Sequence, residues 1–185
     1  MVLTKTPICQ FGKKAENFQL KSVNNQFLSL DDLKGEKSTL IMFICNHCPY
    51  VKAIIKELIP ECKNLMKLGV NTIAIMSNDT KSYPEDSFEN MIKFAETNNF
   101  NKINYLIDEN QEVARKYGAV CTPDFFGFNK DLELNYRGRF KELKDLKPVN
   151  KNESDLSLAM KMIANAQQGP KEQIPSMGCN IKCNK

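Results

Sequence analysis

At 185 residues, 42% hydrophobic and 26% charged, the chain is long enough to bury a real core in one domain and has the balance of a soluble globular protein. Its net charge of +4 comes from 26 Lys plus Arg against 22 Asp plus Glu, spread along the chain. The basic clusters, Lys13-Lys14 and the lysine-rich 141–151 segment, are short and form no stripe with interleaved aromatics, so nucleic acid is excluded as an expected partner.

In chain order, Met1-Val2-Leu3-Thr4-Lys5-Thr6-Pro7 carries no apolar core, so no signal peptide is expected. Residues 15–22 alternate apolar and polar, Asn24-Asn25 supplies a turn, and Phe27 and Leu28 follow, which predicts a β-hairpin. Residues 29–35 read as one capped helical turn stopped by Gly35. A strand at 39–44 whose apolar run is unbroken from Leu40, buried on both faces, runs into a helix from about 46 to 68 with Val51, Ile54, Ile55, Leu58, Cys62 and Leu65 at helical spacing. Pro60 is expected to kink or break that helix, and Gly69 ends it.

Residues 70–77 form a second buried strand, so strand, helix and strand make a βαβ unit with a parallel pair. Residues 78–87 form a loop, and Ser87 caps a helix over 88–98. A short strand at 105–107 and a short helix at 111–117, closed by Gly118, come next. Residues 119–123 lead into 124–128, Asn129-Lys130-Asp131 turns, and 132–137 return antiparallel. Residues 140–153 read as loop. Ser154 or Asp155 starts a last helix whose apolar face is Leu156, Leu158, Ala159, Met162, Ile163 and Ala166, ended by Gly169-Pro170. The prediction is a single α/β domain over 1–168, a central mixed sheet flanked by helices, followed by a tail over 169–185. No run reaches the ~18 apolar residues of a membrane helix, so no membrane is expected as a partner.

Cys45-Asn46-His47-Cys48 stands at the strand-to-helix switch. Inside a first helical turn, unpaired N–H groups and the positive dipole end favour a thiolate, and Pro49 suits that turn. A free thiol near pKa ~8.5 is only about 3% ionised at neutral pH, whereas one near ~6 is roughly 90% ionised. A redox dithiol follows as the expected centre. Cys45, first in the motif, is expected to attack as an exposed thiolate, and Cys48 to resolve the mixed disulfide. Seven cysteines are an odd number for a disulfide framework and point to reduced thiols in the cytoplasm. No Gly-rich phosphate loop or Gly-x-Ser-x-Gly elbow is present, and no cofactor is expected.

The hairpin opening at 15–18, Cys45-Asn-His-Cys48 after an apolar strand, the helix inserted at 87–98 and Thr122-Pro123 together resemble the thioredoxin fold, in the extended form of the TlpA/ResA-like and AhpC/TSA-like redoxins. The resemblance spans roughly residues 12 to 168. Asn78-Asp79, Tyr83-Pro84-Glu85-Asp86-Ser87, Cys121-Thr-Pro-Asp124 and Ser176-Met-Gly-Cys-Asn-Ile-Lys182 look closer still to a peroxiredoxin-like subgroup of the thioredoxin family. By this resemblance Pro123 is the cis-proline facing the dithiol, and the Thr122 backbone pairs with a substrate strand. The partners implied are a disulfide-bearing protein or small molecule and a thiol electron donor. His47 holds the position of the histidine in DsbA-like motifs; protonated, it would stabilise the Cys45 thiolate and make the disulfide more oxidising.

Several side chains remain open to two readings. Cys121 lies beside Thr122-Pro123 as a third redox partner or as a small buried hydrophobe. Cys179 and Cys183 are further resolving candidates or an exposed tail, and Cys183 stands where the related ending has an aromatic residue. Cys62 belongs to the core. Glu16 and Asp79 are the nearest candidates for an acid–base carboxylate.

Two other functions compete. A thiol peroxidase normally has Thr or Ser three residues before its reactive Cys, but here Met42 precedes Cys45 and Cys45 precedes Cys48 at that spacing; the sulfenic step itself needs only a thiolate and a resolving Cys. A metal-binding redoxin would gather Cys45, His47, Cys48 and Cys121, as in Sco-like copper proteins. A zinc site would instead pair Cys45 and Cys48 with Cys179 and Cys183. Against the copper reading, the motif spacing is short by one residue and the chain has no histidine besides His47.

Overall fold

The computed structural model describes residues 3–183. The elements run β1 (Leu3–Lys5), β2 (Gln19–Ser22), β3 (Phe27–Ser29), α1 (Leu30–Leu33), β4 (Ser38–Phe43), α2 (Pro49–Met66), β5 (Val70–Met76), a 3-10 turn (Pro84–Asp86) and α3 (Phe88–Thr97). Then come β6 (Asn104–Ile107), α4 (Glu112–Tyr117), β7 (Cys121–Thr122), β8 (Asp124–Asn129), β9 (Leu134–Tyr136), β10 (Leu143–Lys144), β11 (Lys147–Pro148), α5 (Asp155–Ala166) and β12 (Met177–Asn180).

The main sheet has the order β3-β2-β6-β5-β4-β8-β9. β4 pairs parallel with β5 and antiparallel with β8, and β5 pairs parallel with β6. The apolar run that announces β4 is explained by its central place. Leu40, Met42 and Ile44 feed the core beneath α2 and α5, while Ile41 and Phe43 feed the core with Leu30 of α1 and Val113 and Tyr117 of α4. A strand covered on both faces has no polar side to show. The sheet therefore carries the end of β4, and with it Cys45, into the middle of the molecule.

Four expectations change. α2 runs unbroken through Pro60. Pro60 and Lys56, whose carbonyl loses its helical donor, both sit on the exposed side of the helix, where an unpaired carbonyl costs least. The packed face of Ile55, Leu58, Ile59 and Cys62 holds the helix together. The buried face of α5 is turned from the expected one: Met160 and Ala164 go inside, whereas Leu158 and Met162 are 54% and 45% exposed. The reason lies in β8, where Gly127 leaves room for Met160; a Cβ there would stand 2.6 Å from its sulfur. Within 140–153, β10 and β11 form a small hairpin whose turn residues Asp145 and Leu146 have positive φ.

The fourth change concerns the C-terminus. Residues beyond Gly169-Pro170 do not trail away. β12 is the central strand of a second sheet, β1-β12-β7, with Cys179 in register with both Leu3 and Thr122. No helix among the described residues is long and apolar enough to cross a membrane.

Candidate active site

The two motif thiols sit before the helix and not within it. Cys48 is the N-cap of α2 and Pro49 its first residue. A residue preceding proline is driven out of the helical region, and Cys48 is accordingly extended at φ −63°, ψ 122°. Cys45 is left at the end of β4, three residues before the cap. Both side chains are fully buried, so the exposed Cys45 of the sequence reading is not what the fold builds.

Their environments differ in sign. Cys48 takes the Cys45 thiol's hydrogen bond first of all, and then those of the Thr122 side chain, the Val51 N–H and the Cys179 thiol; against the cost of burial these hold it down to about 5. The Val51 N–H is one of the first-turn donors that no helical carbonyl reaches. Cys45 is pushed up, by the same hydrogen bond to Cys48, by burial and by the nearby Asp86 carboxylate. Within this coupled pair the shared hydrogen bond holds the Cys48 thiol down and pushes the Cys45 thiol up. The Thr122 hydroxyl lies 3.4 Å from Cys45 Sγ, and the Thr122 carbonyl oxygen lies 3.1 Å from Cys48 Sγ, ready to accept its proton in the neutral state.

Asp86 is the site carboxylate that sequence reasoning missed. It is fully buried in the 3-10 turn ahead of α3. Its oxygens accept from the Asn46 N–H at 2.8 Å, the His47 N–H at 3.3 Å and Asn78 Nδ2 at 2.8 Å, and lie 2.7 Å from His47 Nδ1. A carboxylate that accepts on every side requires His47 to donate from Nδ1. His47 is therefore oriented by Asp86, and its ring stacks on Tyr83 at 5.6 Å. His47 Nδ1 lies 3.9 Å from Cys45 Sγ and 2.7 Å from Asp86, so the ring stands between the thiol it was expected to support and the buried carboxylate. The available signal was the stretch Tyr83 to Ser87, in which an acid directly precedes the Ser87 cap of α3. The carboxylates considered from sequence lie elsewhere. Asp79 binds Ser82 Oγ and the Lys81 N–H, and Glu16 offers its carbonyl to Tyr117.

The Thr122–Pro123 peptide is cis and stands against the dithiol, as the resemblance implied. The edge of Thr122 is not open to a substrate strand, however, because β12 pairs with it. Gly178 makes that approach feasible: a Cβ there would lie 2.0 Å from the Thr122 carbonyl oxygen. Cys179 Sγ comes to 3.3 Å from Cys48 Sγ, whereas Cys183 is exposed and faces the Ile181 carbonyl. Cys121 is buried, hydrogen-bonds the Pro123 carbonyl, and is pushed up by burial and then by Asp124. Cys62 is core, as expected. Beside Pro123 a cavity of about 300 Å³ opens, lined by Tyr50, Ile54, Phe140 and Leu143 and by Ser176 and Met177 at the entry to β12.

Metal ligands gather differently from either sequence expectation. Among the described residues, Cys45, His47 and Asp86 offer ligand atoms within 4.8 Å of one another. His47 Nδ1 and the Asp86 oxygens are already committed to each other and to Asn46 and Asn78. Neither Cys121 nor Cys183 joins that group.

A model of the AhpC/TSA family matches residues 11–138. The chain belongs to the AhpC/TSA family. Cys45, His47, Cys48, Asp86, Thr122 and Pro123 fall inside the matched span, and β12 with Cys179 lies outside it. The AhpC/TSA chain is 28% identical over 131 residues to the thiol-disulfide oxidoreductase ResA of Bacillus thuringiensis subsp. konkukian, covering 69% of each. It is 41% identical to an uncharacterized conserved protein from Geobacillus kaustophilus of solved structure, with a TM-score of 0.89, covering 100% of this chain and 97% of that one. A secreted disulfide oxidoreductase of Mycobacterium tuberculosis, 17% identical with a TM-score of 0.54 over 64% of this chain and 80% of its own, shares the fold. The AhpC/TSA chain thus has a thioredoxin-like fold and relatives among the thiol–disulfide oxidoreductases.

Proposed function

We propose that this protein is a thiol–disulfide oxidoreductase working through Cys45 and Cys48, with Cys48 as the attacking thiolate. The observation that carries the reading is the placement of Cys48 at the N-cap of α2, 3.1 Å from the Thr122 carbonyl oxygen that precedes cis-Pro123, where its hydrogen bonds to Cys45, Thr122 and Val51 hold the thiol down. Cys48 attacks one sulfur of the substrate disulfide, that bond breaks, and the other substrate sulfur leaves as a thiolate. Cys45 passes its proton to the leaving sulfur and attacks Cys48 Sγ, which expels the second substrate sulfur. The substrate ends reduced and the protein holds a Cys45–Cys48 disulfide, which a thiol donor reopens.

A stabilised Cys48 thiolate favours the dithiol form, so the couple is read as less reducing than a thioredoxin. The cavity next to Pro123, which mixes Tyr50, Ile54 and Phe140 with Lys5, Arg139 and Glu142, is the proposed approach for a disulfide-bearing protein or small molecule. The cysteine count supports a reducing, cytoplasmic setting.

The test uses the aromatic disulfide DTNB at pH 6, where an ordinary thiol is almost wholly protonated. Wild type and Cys45→Ser should release the first thionitrobenzoate rapidly, and Cys48→Ser should not. Rapid release by Cys48→Ser with loss in Cys45→Ser would restore the chain-order roles. Peroxide reduction is the second reading, favoured by the Cys45 and Thr122 donors around Cys48. Turnover with hydrogen peroxide and a thiol donor, set against turnover with a disulfide, separates the two.

A further inference from the structure

Cys179 lies outside the span of the family match, yet its sulfur is 3.3 Å from Cys48 Sγ. The contact is built into the fold. β12 is flanked by β1 and β7, and Cys179 stands in register with Leu3 on one side and Thr122 on the other. Before it, Ser176 Oγ donates to the Pro123 carbonyl at 2.8 Å; after it, the Ile181 N–H donates to the Val120 carbonyl at 3.1 Å and the Lys182 N–H to Asn78 Oδ1 at 2.8 Å. Gly178 removes the one Cβ that would hold the strand away from Thr122. An extended strand beside the residue before Pro123 is what a bound disulfide substrate would supply. Here the chain supplies it, with a cysteine facing the nucleophile.

We propose that Cys179 is a third redox cysteine, a second resolving thiol that draws Cys48 into a Cys48–Cys179 disulfide. The inference rests on Cys48 being the attacking thiolate. From the Cys45–Cys48 disulfide, Cys179 Sγ gives up its proton and attacks Cys48 Sγ. The Cys48–Cys179 bond forms as the Cys45–Cys48 bond breaks, and Cys45 leaves with the electron pair and takes up that proton. No outside oxidant or reductant enters, since one disulfide is exchanged for another. From a mixed disulfide on Cys48 the attack is the same, and the substrate sulfur is the leaving group. In the reduced protein Cys179 is pushed up to about 12, by burial and then by its bond to and the charge of Cys48. The Cys48 share of that effect disappears once Cys48 is in a disulfide, so Cys179 becomes the better nucleophile at the moment it is needed. The exchange returns Cys45 as a free thiol and stores the oxidising equivalent beneath β12.

The experiment counts thionitrobenzoate released from DTNB at pH 6. Cys45→Ser should release two per protein, the second by attack of Cys179 on the Cys48 adduct, whereas Cys45→Ser/Cys179→Ser should stop at one. A single release from Cys45→Ser overturns the role of Cys179 and leaves the Cys48 mechanism standing. Rapid release from Cys48→Ser overturns that mechanism itself. A second measurement uses wild type oxidised with one equivalent of diamide, blocked in acid and digested with trypsin. Cys45 and Cys48 share the peptide 38–52 and Cys179 lies in 172–182. The two peptides should be recovered joined, with Cys45 blocked; recovery of 172–182 alone and fully blocked contradicts the proposal.

Discussion

Cys48 is held down first by the Cys45 hydrogen bond, and its place one residue before Pro49 adds the Val51 N–H. Proline keeps Cys48 out of the helix, the helix starts after it, and the Val51 N–H is left pointing at its sulfur. Cys45, the same kind of side chain three residues away, has no helix end to face and has Asp86 nearby instead. A neutral amide in place of that carboxylate removes one cause of Cys45's high pKa. Asp86→Asn should therefore lower the pKa of Cys45 and speed its alkylation at pH 8, while Cys48 still titrates near 5. Unchanged Cys45 reactivity, measured by mass-resolved iodoacetamide labelling, would remove Asp86 from the site's electrostatics. Asp86→Ala, which strands Asn46, His47 and Asn78 without their acceptor, should also cost roughly 3 kcal/mol in urea unfolding.

Among the elements, the strongly patterned ones are legible in the sequence and the shared ones are not. β4 and β5 read as buried strands because both of their faces are covered, and α2 reads as a helix from its apolar spacing. The capping serines Ser29, Ser87 and Ser154 mark three helix starts that the structure keeps. α5 has more apolar positions than one face can hold, so spacing alone does not choose among them, and Gly127 on β8 decides. Met160→Ala should accordingly cost about 2–5 kcal/mol, whereas Met162→Ala should stay within about 0.5 kcal/mol; comparable losses would contradict the observed face. β12 was illegible for a different reason. Four residues with Gly178 and Asn180 among them carry little strand signal, and their place is set by Leu3 and Thr122, some 170 and 60 residues away in sequence. Asp86 was hidden in the same way, since its partners Asn46, His47 and Asn78 meet it only in the folded chain.

Over the whole molecule, the dithiol ties stability to pH. Unfolding returns Cys48 from about 5 to an ordinary thiol value of 9.0. Between those values the unfolded chain binds a proton at Cys48 that the folded chain does not, so the contribution of Cys48 to stability grows with pH across that window and is lost as pH falls through about 5. Between pH 6 and pH 8 Cys45 is largely protonated in both states, because only its folded value is pushed up from 9.0, and it offsets little of this. Reduced wild type should therefore gain more stability between pH 6 and pH 8 than Cys48→Ser does, as read by urea unfolding under reductant. Equal gains would mean that Cys48 is not ionised in the folded protein.

The reversal of roles between the two motif cysteines is the central claim, and one titration tests it most directly. Reduced wild type, labelled briefly with iodoacetamide from pH 4 to pH 10 and mapped by mass, should modify Cys48 ahead of Cys45, with a midpoint near 5 for Cys48. Labelling of Cys45 ahead of Cys48, or a Cys48 midpoint at the ordinary thiol value of 9.0, would contradict it.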